Sequence, residues 1–116
     1  MLNIRNANVG DITELAVLFN DYRIFYQQAS NLPLAEQFLR ARMKADESVI
    51  FVAEWQGQLC GFTQLYPMFC SVACAPYFVL YDLYVAKSAR RKGVAEALLG
   101  AAADFGKTQG ADRFGR

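Results

Sequence analysis

An apolar segment that runs into a basic, glycine-containing loop is the feature that most constrains this chain. Residues 77–85 are apolar on both faces apart from Asp82, three cationic residues follow at 90–92, and an Ala/Leu-rich stretch covers 93–109. This order predicts a central strand covered by helices, then a loop, then a helix. The first N–H groups of a helix have no intrahelical acceptor and carry partial positive charge, so the loop predicts a phosphate site. The alternative is a solvated basic loop without a ligand.

The first part of the chain predicts a short strand and two helices. Residues 2–5 form the strand, and Asp11 with Glu14 three residues later has the spacing of a capping box that starts the first helix. Pro33 suits the first turn of the second helix, which is expected to end at residues 45–47.

Two antiparallel strands are predicted before the central one. Residues 48–54 and 59–66 have the composition of strands, and a Gln-Gly-Gln segment between them suits a hairpin turn. Pro67 is expected to end the second strand, with a loop over 68–76. The order β, α, α, β, β, β, α predicts a single α+β domain over 1–116, with a mixed, mostly antiparallel sheet flanked by helices.

Charge and composition exclude several classes of function. The balance of 12 basic and 11 acidic residues gives a net charge of +1, which argues against a general nucleic-acid-binding protein. No apolar run is long enough to span a membrane and the N-terminus lacks the core of a signal peptide, which predicts a cytoplasmic protein. Without any histidine, Cys60, Cys70 and Cys74 are expected to be free thiols with no metal site, although a cross-link between Cys70 and Cys74 stays open.

The segment around the basic loop resembles a known family. Its pattern, Leu80-x-x-Leu-Tyr-Val-x-x-x-x-Arg-x-x-Gly-x-Ala, resembles the acetyl-coenzyme A signature of the GNAT N-acetyltransferase superfamily, which is [Arg/Gln]-x-x-Gly-x-[Gly/Ala] after a strand. The predicted order of elements extends the resemblance over nearly the whole chain, while residues 80–99 carry its specificity. The resemblance implies an acyl-CoA N-acyltransferase-like fold.

The resemblance also implies acetyl-CoA as co-substrate and a place for it. The pantetheine arm would bind the backbone of the strand, a bulge there would aim an N–H near Leu83 at the thioester oxygen, and the pyrophosphate would lie on the N–H groups of residues 91–96. Gly93 and Ala95 would leave room for the ligand beside the backbone. The implied cofactor-binding residues are Leu83, Tyr84, Val85, Arg90, Arg91, Lys92, Gly93, Val94, Ala95 and Glu96.

In relatives a substrate amine attacks the thioester directly, so the resemblance implies a small-molecule amine as acceptor. Some relatives have a Glu where this chain has Tyr81, which suits the lining of the acceptor pocket better than the role of base because a free Tyr has a pKa near 10. Asp82 is the only carboxylate on the strand, and it is either a general base, acting directly or through water, or the partner of a structural hydrogen bond. Aromatic residues are expected around the acceptor entrance, with core packing favoured for Phe25: Tyr22, Phe25, Tyr26, Tyr66 and Phe69.

The chain ends at Arg116, where relatives continue into a further strand, a helix and a closing hairpin. On this basis the protein is expected to be a C-terminally truncated member, with an unpaired apolar edge on the strand at 77–85 that favours a homodimer. The alternative to an enzyme is a truncated, non-catalytic module that binds CoA or oligomerises.

Overall fold

A computed structural model of the chain describes residues 1–108 and 114–115, with side chains over residues 1–107. The elements are β1 (Leu2–Asn6), α1 (Ile12–Phe25), α2 (Leu32–Lys44), β2 (Val49–Trp55), β3 (Gln58–Cys70), β4 (Ala75–Val85), α3 (Val94–Thr108) and β5 (Phe114–Gly115). The predicted order of strands and helices is confirmed, with β5 added at its end. The predicted end of the last helix at residue 109 lies outside the described residues.

The strands form one sheet in the order β1-β2-β3-β4-β5. The first four are antiparallel to their neighbours, and β5 is parallel to β4. Successive side chains of β2 point to opposite faces: Ile50 and Val52 pack with α1 and α2, whereas Phe51 and Ala53 pack with α3. Both faces of the sheet are therefore covered by helices, and the α+β prediction is confirmed.

The two hairpins differ in how well the sequence predicted them. Gln56 and Gly57 both have positive φ, 52° and 79°, as a two-residue hairpin turn requires, so that turn is confirmed. The predicted stop at Pro67 is wrong, because β3 continues to Cys70 and pairs with β4 along its length. The last pair between β2 and β3 is Val49 with Leu65, so β3 has no neighbour on that side at Pro67 and a missing N–H is tolerated.

The capping prediction for α1 is right about position and wrong about the bond, because Asp11 is the N-cap residue but its side chain makes no capping hydrogen bond to the helix. Asn8, not Asp11, caps a short 3₁₀ turn before the helix, and its side-chain oxygen accepts from the Gly10 N–H at 2.9 Å. The Asp11 carboxylate instead accepts from the Asn8 N–H at 2.7 Å and from both terminal nitrogens of Arg5 at 2.8 and 2.9 Å. Glu14 Oε2 accepts from the Leu59 N–H at 2.7 Å and so ties α1 to β3.

Gly61 allows α3 to approach the sheet closely at the point that matters for the site. A Cβ at this position would lie 3.0 Å from the Tyr84 carbonyl oxygen and 3.2 Å from Cγ1 of Val94. The start of α3 is therefore seated directly against the end of β4.

The edge of β4 is not wholly unpaired, contrary to the sequence-based expectation. Phe78 and Val79 pair with Phe114 and Gly115 of β5. Within the described ranges, 1–108 and 114–115, no helix is long and apolar enough to cross a membrane.

Candidate functional site

A β-bulge in β4 organises one part of the site. Gln64 pairs with Asp82 but Leu65 pairs with Leu80, so Tyr81 is an extra residue without a partner in β3. A bulge bends the strand and re-aims the side chains beside it. Tyr81 and Asp82, although consecutive, both line the same cavity. The bulge lies two residues before Leu83.

Asp82 is buried and fully engaged by neighbouring donors. Asp82 is only 7% exposed. Tyr22 Oη donates a hydrogen bond to its Oδ1 at 2.8 Å, and Gln64 Nε2 donates one to its Oδ2 at 2.9 Å. The Thr63 hydroxyl donates to the main-chain oxygen of Asp82 at 2.8 Å. Oε1 of Gln64 is buried and, within the part of the chain that is described, has no hydrogen-bond partner.

Two tyrosines beside this carboxylate have altered acidity. Burial, reinforced by the hydrogen bond to Asp82, raises the pKa of Tyr22 above its usual value. Burial first, and then the negative charge of Asp82, raises the pKa of Tyr66 to about 12. Both phenols are neutral at physiological pH, and they can donate hydrogen bonds but are unsuited to act as bases.

The cavity at the bulge has a volume of about 330 Å³ and lies between the sheet and the first two helices. Most of its wall is aromatic or aliphatic, with one carboxylate and one guanidinium. It is lined by Phe19, Tyr22, Arg23, Leu34, Ala35, Phe38, Tyr66, Tyr81 and Asp82. We call it the acceptor cavity.

The aromatic residues predicted for the acceptor entrance separate into groups. Tyr22 and Tyr66 line the acceptor cavity. Tyr26 packs edge-on against Tyr22, with ring centroids 5.2 Å apart, and Phe69 is 83% exposed on the second hairpin, away from the cavity wall. The core role expected for Phe25 is wrong, because that ring is 63% exposed.

Sequence reasoning missed five of the nine residues that line the acceptor cavity: Phe19, Arg23, Leu34, Ala35 and Phe38. Arg23 follows Phe19 by four positions on α1, so helical spacing alone could have placed both on one face. Phe38 could be found only from the packing of α2, where its ring stacks on that of Phe19 at 5.7 Å.

A second cleft, of about 410 Å³, lies where β4, the basic loop and α3 meet. We call it the donor cleft. Nine of the ten predicted cofactor-binding residues line it, together with Phe25 and Ala89: Leu83, Tyr84, Val85, Arg90, Arg91, Gly93, Val94, Ala95 and Glu96. The tenth, Lys92, lines a separate cavity of about 130 Å³ beside Cys60, and burial raises the pKa of the Cys60 thiol.

The backbone at the start of α3 is suited to hold an anion. The first α-helical hydrogen bond runs from the Ala97 N–H to the Gly93 carbonyl at 3.0 Å, so the preceding N–H groups have no intrahelical acceptor. Gly93 has φ of 76°, where a side chain is disfavoured, and a Cβ there would meet no atom within 4 Å. The glycine is therefore needed for the turn and also leaves the backbone open.

Arg90 connects the basic loop to the strand. Its Nε donates to the Val85 carbonyl at 3.0 Å, and its guanidinium carbon lies 5.7 Å from the ring centroid of Tyr84 and 5.9 Å from that of Phe25. These contacts keep the positive charge of Arg90 beside the donor cleft. The three cysteines are free thiols, and the described residues contain no cluster of His, Cys, Asp or Glu that could hold a metal ion.

Comparison with known proteins gives consistent matches. The model of the Acetyltransferase (GNAT) family matches residues 13–115. The chain is 50% identical over 110 residues to "Uncharacterized N-acetyltransferase YhfO" of Bacillus subtilis (strain 168), which spans 95% of this chain and 74% of that protein.

Solved structures agree with this. The crystal structure of "a probable acetyltransferase" is 37% identical with a TM-score of 0.93, over 97% of this chain and 76% of the other. A "predicted acetyltransferase with acetyl-CoA" from Clostridium acetobutylicum shares the fold at 16% identity, with a TM-score of 0.80 over 98% and 79% of the two chains. Since the family model covers most of the sequence and a curated relative is half identical to it, the chain belongs to the GNAT acetyltransferase family.

Proposed function

We propose that this chain is an acetyl-CoA-dependent N-acetyltransferase that transfers the acetyl group directly from the thioester to a small-molecule amine. One observation carries the proposal: consecutive residues of β4 line the two spaces, with Tyr81 and Asp82 in the acceptor cavity and Leu83 in the donor cleft. Two substrates bound in these spaces would have their reacting groups next to each other. The three free thiols suit a reducing cytoplasm, where we expect the protein to act.

The donor cleft fits the acetyl-CoA that members of this family use. Its pyrophosphate would lie on the N–H groups at the start of α3, with Arg91 adding charge, and Gly93 keeps that backbone open. The neighbour of the same fold from Clostridium acetobutylicum is described with acetyl-CoA, which supports this assignment. Leu83, Tyr84 and Val85 would bind the pantetheine arm through the strand backbone.

The chemistry assigned to the chain is positioning and proton transfer. Acetyl-CoA supplies the thioester whose C–S bond is exchanged for the new C–N bond. The backbone near Leu83, just after the bulge, would donate to the carbonyl oxygen as negative charge develops on it. Asp82 would hold the amine and accept a proton from it, directly or through water, and Tyr81 would line the acceptor site.

The test is release of free thiol from acetyl-CoA in the presence of a panel of amines, together with the melting temperature measured with CoA. A matched pair of variants isolates the donor cleft. Ala95→Asp puts a carboxylate in the first turn of α3, where it favours the helix but repels a phosphate, whereas Gly100→Ala changes an exposed position of the same helix away from the cleft. We expect Ala95→Asp to remove both thiol release and the melting shift, and Gly100→Ala to keep both.

A CoA-binding module without catalysis is the second candidate. It is favoured by the engagement of both Asp82 carboxylate oxygens with Tyr22 and Gln64, which suits a structural role. A melting shift with CoA but no thiol release from any amine would support the module. If CoA does not shift the melting temperature, the basic loop is a structural turn and both candidates fail.

We also propose a homodimer through the edge of β4. Because β5 covers this edge at Phe78 and Val79, we expect a partner chain to pair with the part from Leu80 to Val85, which has no paired strand on that side among the described residues. Residues 83–85 border the donor cleft, so a second chain and CoA would compete for the same backbone. Light scattering should show a dimer that CoA dissociates, and a monomer in the absence of CoA would rule the dimer out.

A further inference from the structure

We propose that the acceptor amine carries a carboxylate, and that Arg23 binds this carboxylate at the wall of the acceptor cavity. The inference rests on the proposed function, because it names the class of amine that the same site takes. The substrate would be an amino acid or a similar amino acid-like zwitterion.

The positively charged guanidinium of Arg23 has no partner among the described residues, although it is partly buried. Its Nη1 atom is buried, and within residues 1–107 this atom has no hydrogen-bond partner and the side chain forms no ion pair. A guanidinium nitrogen that has lost water without gaining an acceptor is destabilising, and a carboxylate is the anion that its planar donors match best. An acceptor from a ligand would remove this deficit.

A neighbouring arginine shows the contrast. Nε of Arg42 lies 2.8 Å from Oε1 of Glu47, and its guanidinium carbon lies 4.7 Å from the ring centroid of Phe38. Nε of Arg42 is also buried without a hydrogen bond among the described residues, but its charge is balanced by this ion pair with Glu47. Arg23, which lines the cavity, has no such ion pair within residues 1–107.

The acceptor cavity also has a lining residue of negative charge. Asp82 lines the cavity as its only carboxylate among the described lining residues, and we assign the amine to it. One carboxylate and one guanidinium in a single cavity match a molecule with one ammonium and one carboxylate. A monoamine without a carboxylate would leave the Arg23 guanidinium without an acceptor for its hydrogen bond and without a counter-charge.

The rest of the wall suits the body of such a molecule. The same cavity is also lined by four large apolar or aromatic residues, Phe19, Leu34, Phe38 and Tyr66. Apolar walls with few polar groups are typical of small-molecule sites, in which the polar groups set orientation. They would accept an apolar or aromatic side chain.

The experiment compares amino acids with their carboxamides, which keep the amine and the side chain but lose the negative charge. Thiol release from acetyl-CoA is measured for pairs with apolar, aromatic and polar side chains, using the wild type, Arg23→Met, Arg23→Lys and Arg40→Met. Arg40 is the matched control, since it is exposed on α2 and pairs with Glu36 at 3.0 Å outside the cavity. The ratio of kcat/KM for each pair is the readout, because comparing variants cancels the different basicity of the two amines.

We expect Arg23→Met to lower kcat/KM for the amino acids by about 10-fold to 100-fold, the range expected for a hydrogen bond to a charged group, and to leave the carboxamides within about 3-fold. Arg23→Lys should recover part of the loss, and Arg40→Met should match the wild type. An equal effect of Arg23→Met on both members of each pair, or thiol release with carboxamides but never with amino acids, overturns this inference alone. No thiol release with any amine overturns the proposed function, and this inference with it.

Discussion

Tyr22 donates a hydrogen bond of 2.8 Å to Oδ1 of Asp82, which joins the last turn of α1 to the bulge of β4 across 60 positions of sequence. Gln64 donates to the other carboxylate oxygen, so that α1, β3 and β4 all meet at one buried acid. A buried carboxylate is tolerated only when its oxygens are satisfied, and these two donors satisfy one oxygen each. The network therefore holds the wall of the acceptor cavity in place.

Alkaline pH should destabilise the protein through this network. The pKa values of Tyr22 and Tyr66 are raised in the folded state, so their contribution to stability is fully present below the unfolded value near 10. It is lost as the pH rises above 10, through about 12 for Tyr66 and higher for Tyr22. Tyr22→Phe should lower the free energy of unfolding by about 1 to 3 kcal/mol at pH 7, because Asp82 loses a hydrogen-bond donor. Above pH 10 the free energy of unfolding of this variant should fall less steeply with pH than that of the wild type. Urea unfolding of the wild type and of Tyr22→Phe between pH 7 and 11 measures both effects. If the free energy of unfolding depended on pH in the same way for the two proteins, Tyr22 would not contribute to the loss of stability at alkaline pH.

Acid should weaken the start of α1. The hydrogen bonds from Arg5 hold the pKa of Asp11 below its usual value, so this contribution is present above the unfolded pKa of about 3.9 and is lost as the pH falls through the lower folded value. Asp11→Asn should lower stability by about 1 to 3 kcal/mol at pH 7 and flatten the acid limb. Asp46→Asn is the control, since Asp46 is exposed and forms no ion pair with the described side chains. If stability fell with decreasing pH in the same way for Asp11→Asn and the wild type, the pair of Arg5 and Asp11 would not contribute to acid sensitivity.

Two glycines, Gly61 in β3 under the start of α3 and Gly100 within α3, should respond in opposite directions to alanine. A Cβ on Gly61 would lie 3.0 Å from the Tyr84 carbonyl oxygen, so Gly61→Ala should destabilise by about 1 to 3 kcal/mol and weaken the melting shift with CoA as the start of α3 moves. Gly100 is inside the helix and a Cβ there would meet nothing within 4 Å, so Gly100→Ala should stabilise by about 0.5 to 1 kcal/mol without changing CoA binding. Thermal melting with and without CoA tests both, and a neutral Gly61→Ala would show that α3 is not seated as closely as described.

Local patterns in the sequence were enough to predict the donor cleft. The strand, the loop and α3 are consecutive, and the requirement for glycine at position 93 depends only on the local turn, where φ is 76°. Nine of the ten residues predicted from the pattern line one cleft, and their binding role stays a prediction. Lys92 lines the smaller cavity instead, because the backbone turns at Arg91, where φ is 66°, and the two side chains lie in different cavities; its binding role also stays a prediction.

The acceptor cavity could be predicted only in part, because it depends on contacts between distant segments. Asp82 and Tyr81 stood out by residue type, but strand alternation would place them on opposite faces, and only the bulge in the pairing with β3 brings them together. Phe25 resembled a core residue by type, yet it lies past the region where α1 packs on the sheet. Pro67 was misread as a stop because the sequence does not show where β2 ends beside β3.

Replacement of Asp82 by Asn should separate catalysis from folding. Asn keeps an oxygen that can accept from Tyr22, and its amide nitrogen can donate to the unpartnered Oε1 of Gln64 once the Gln64 amide rotates. The side chain at position 82 would then keep both hydrogen bonds, and one end of the Gln64 amide would stay without a partner as it is now, so the melting temperature should change little. The variant has nevertheless lost the charge that would hold the amine and the group that would take its proton, and kcat/KM should fall by about 100-fold or more. A variant that melts early but acetylates at the wild-type rate would make Asp82 a structural residue only, and the base would then have to be sought elsewhere.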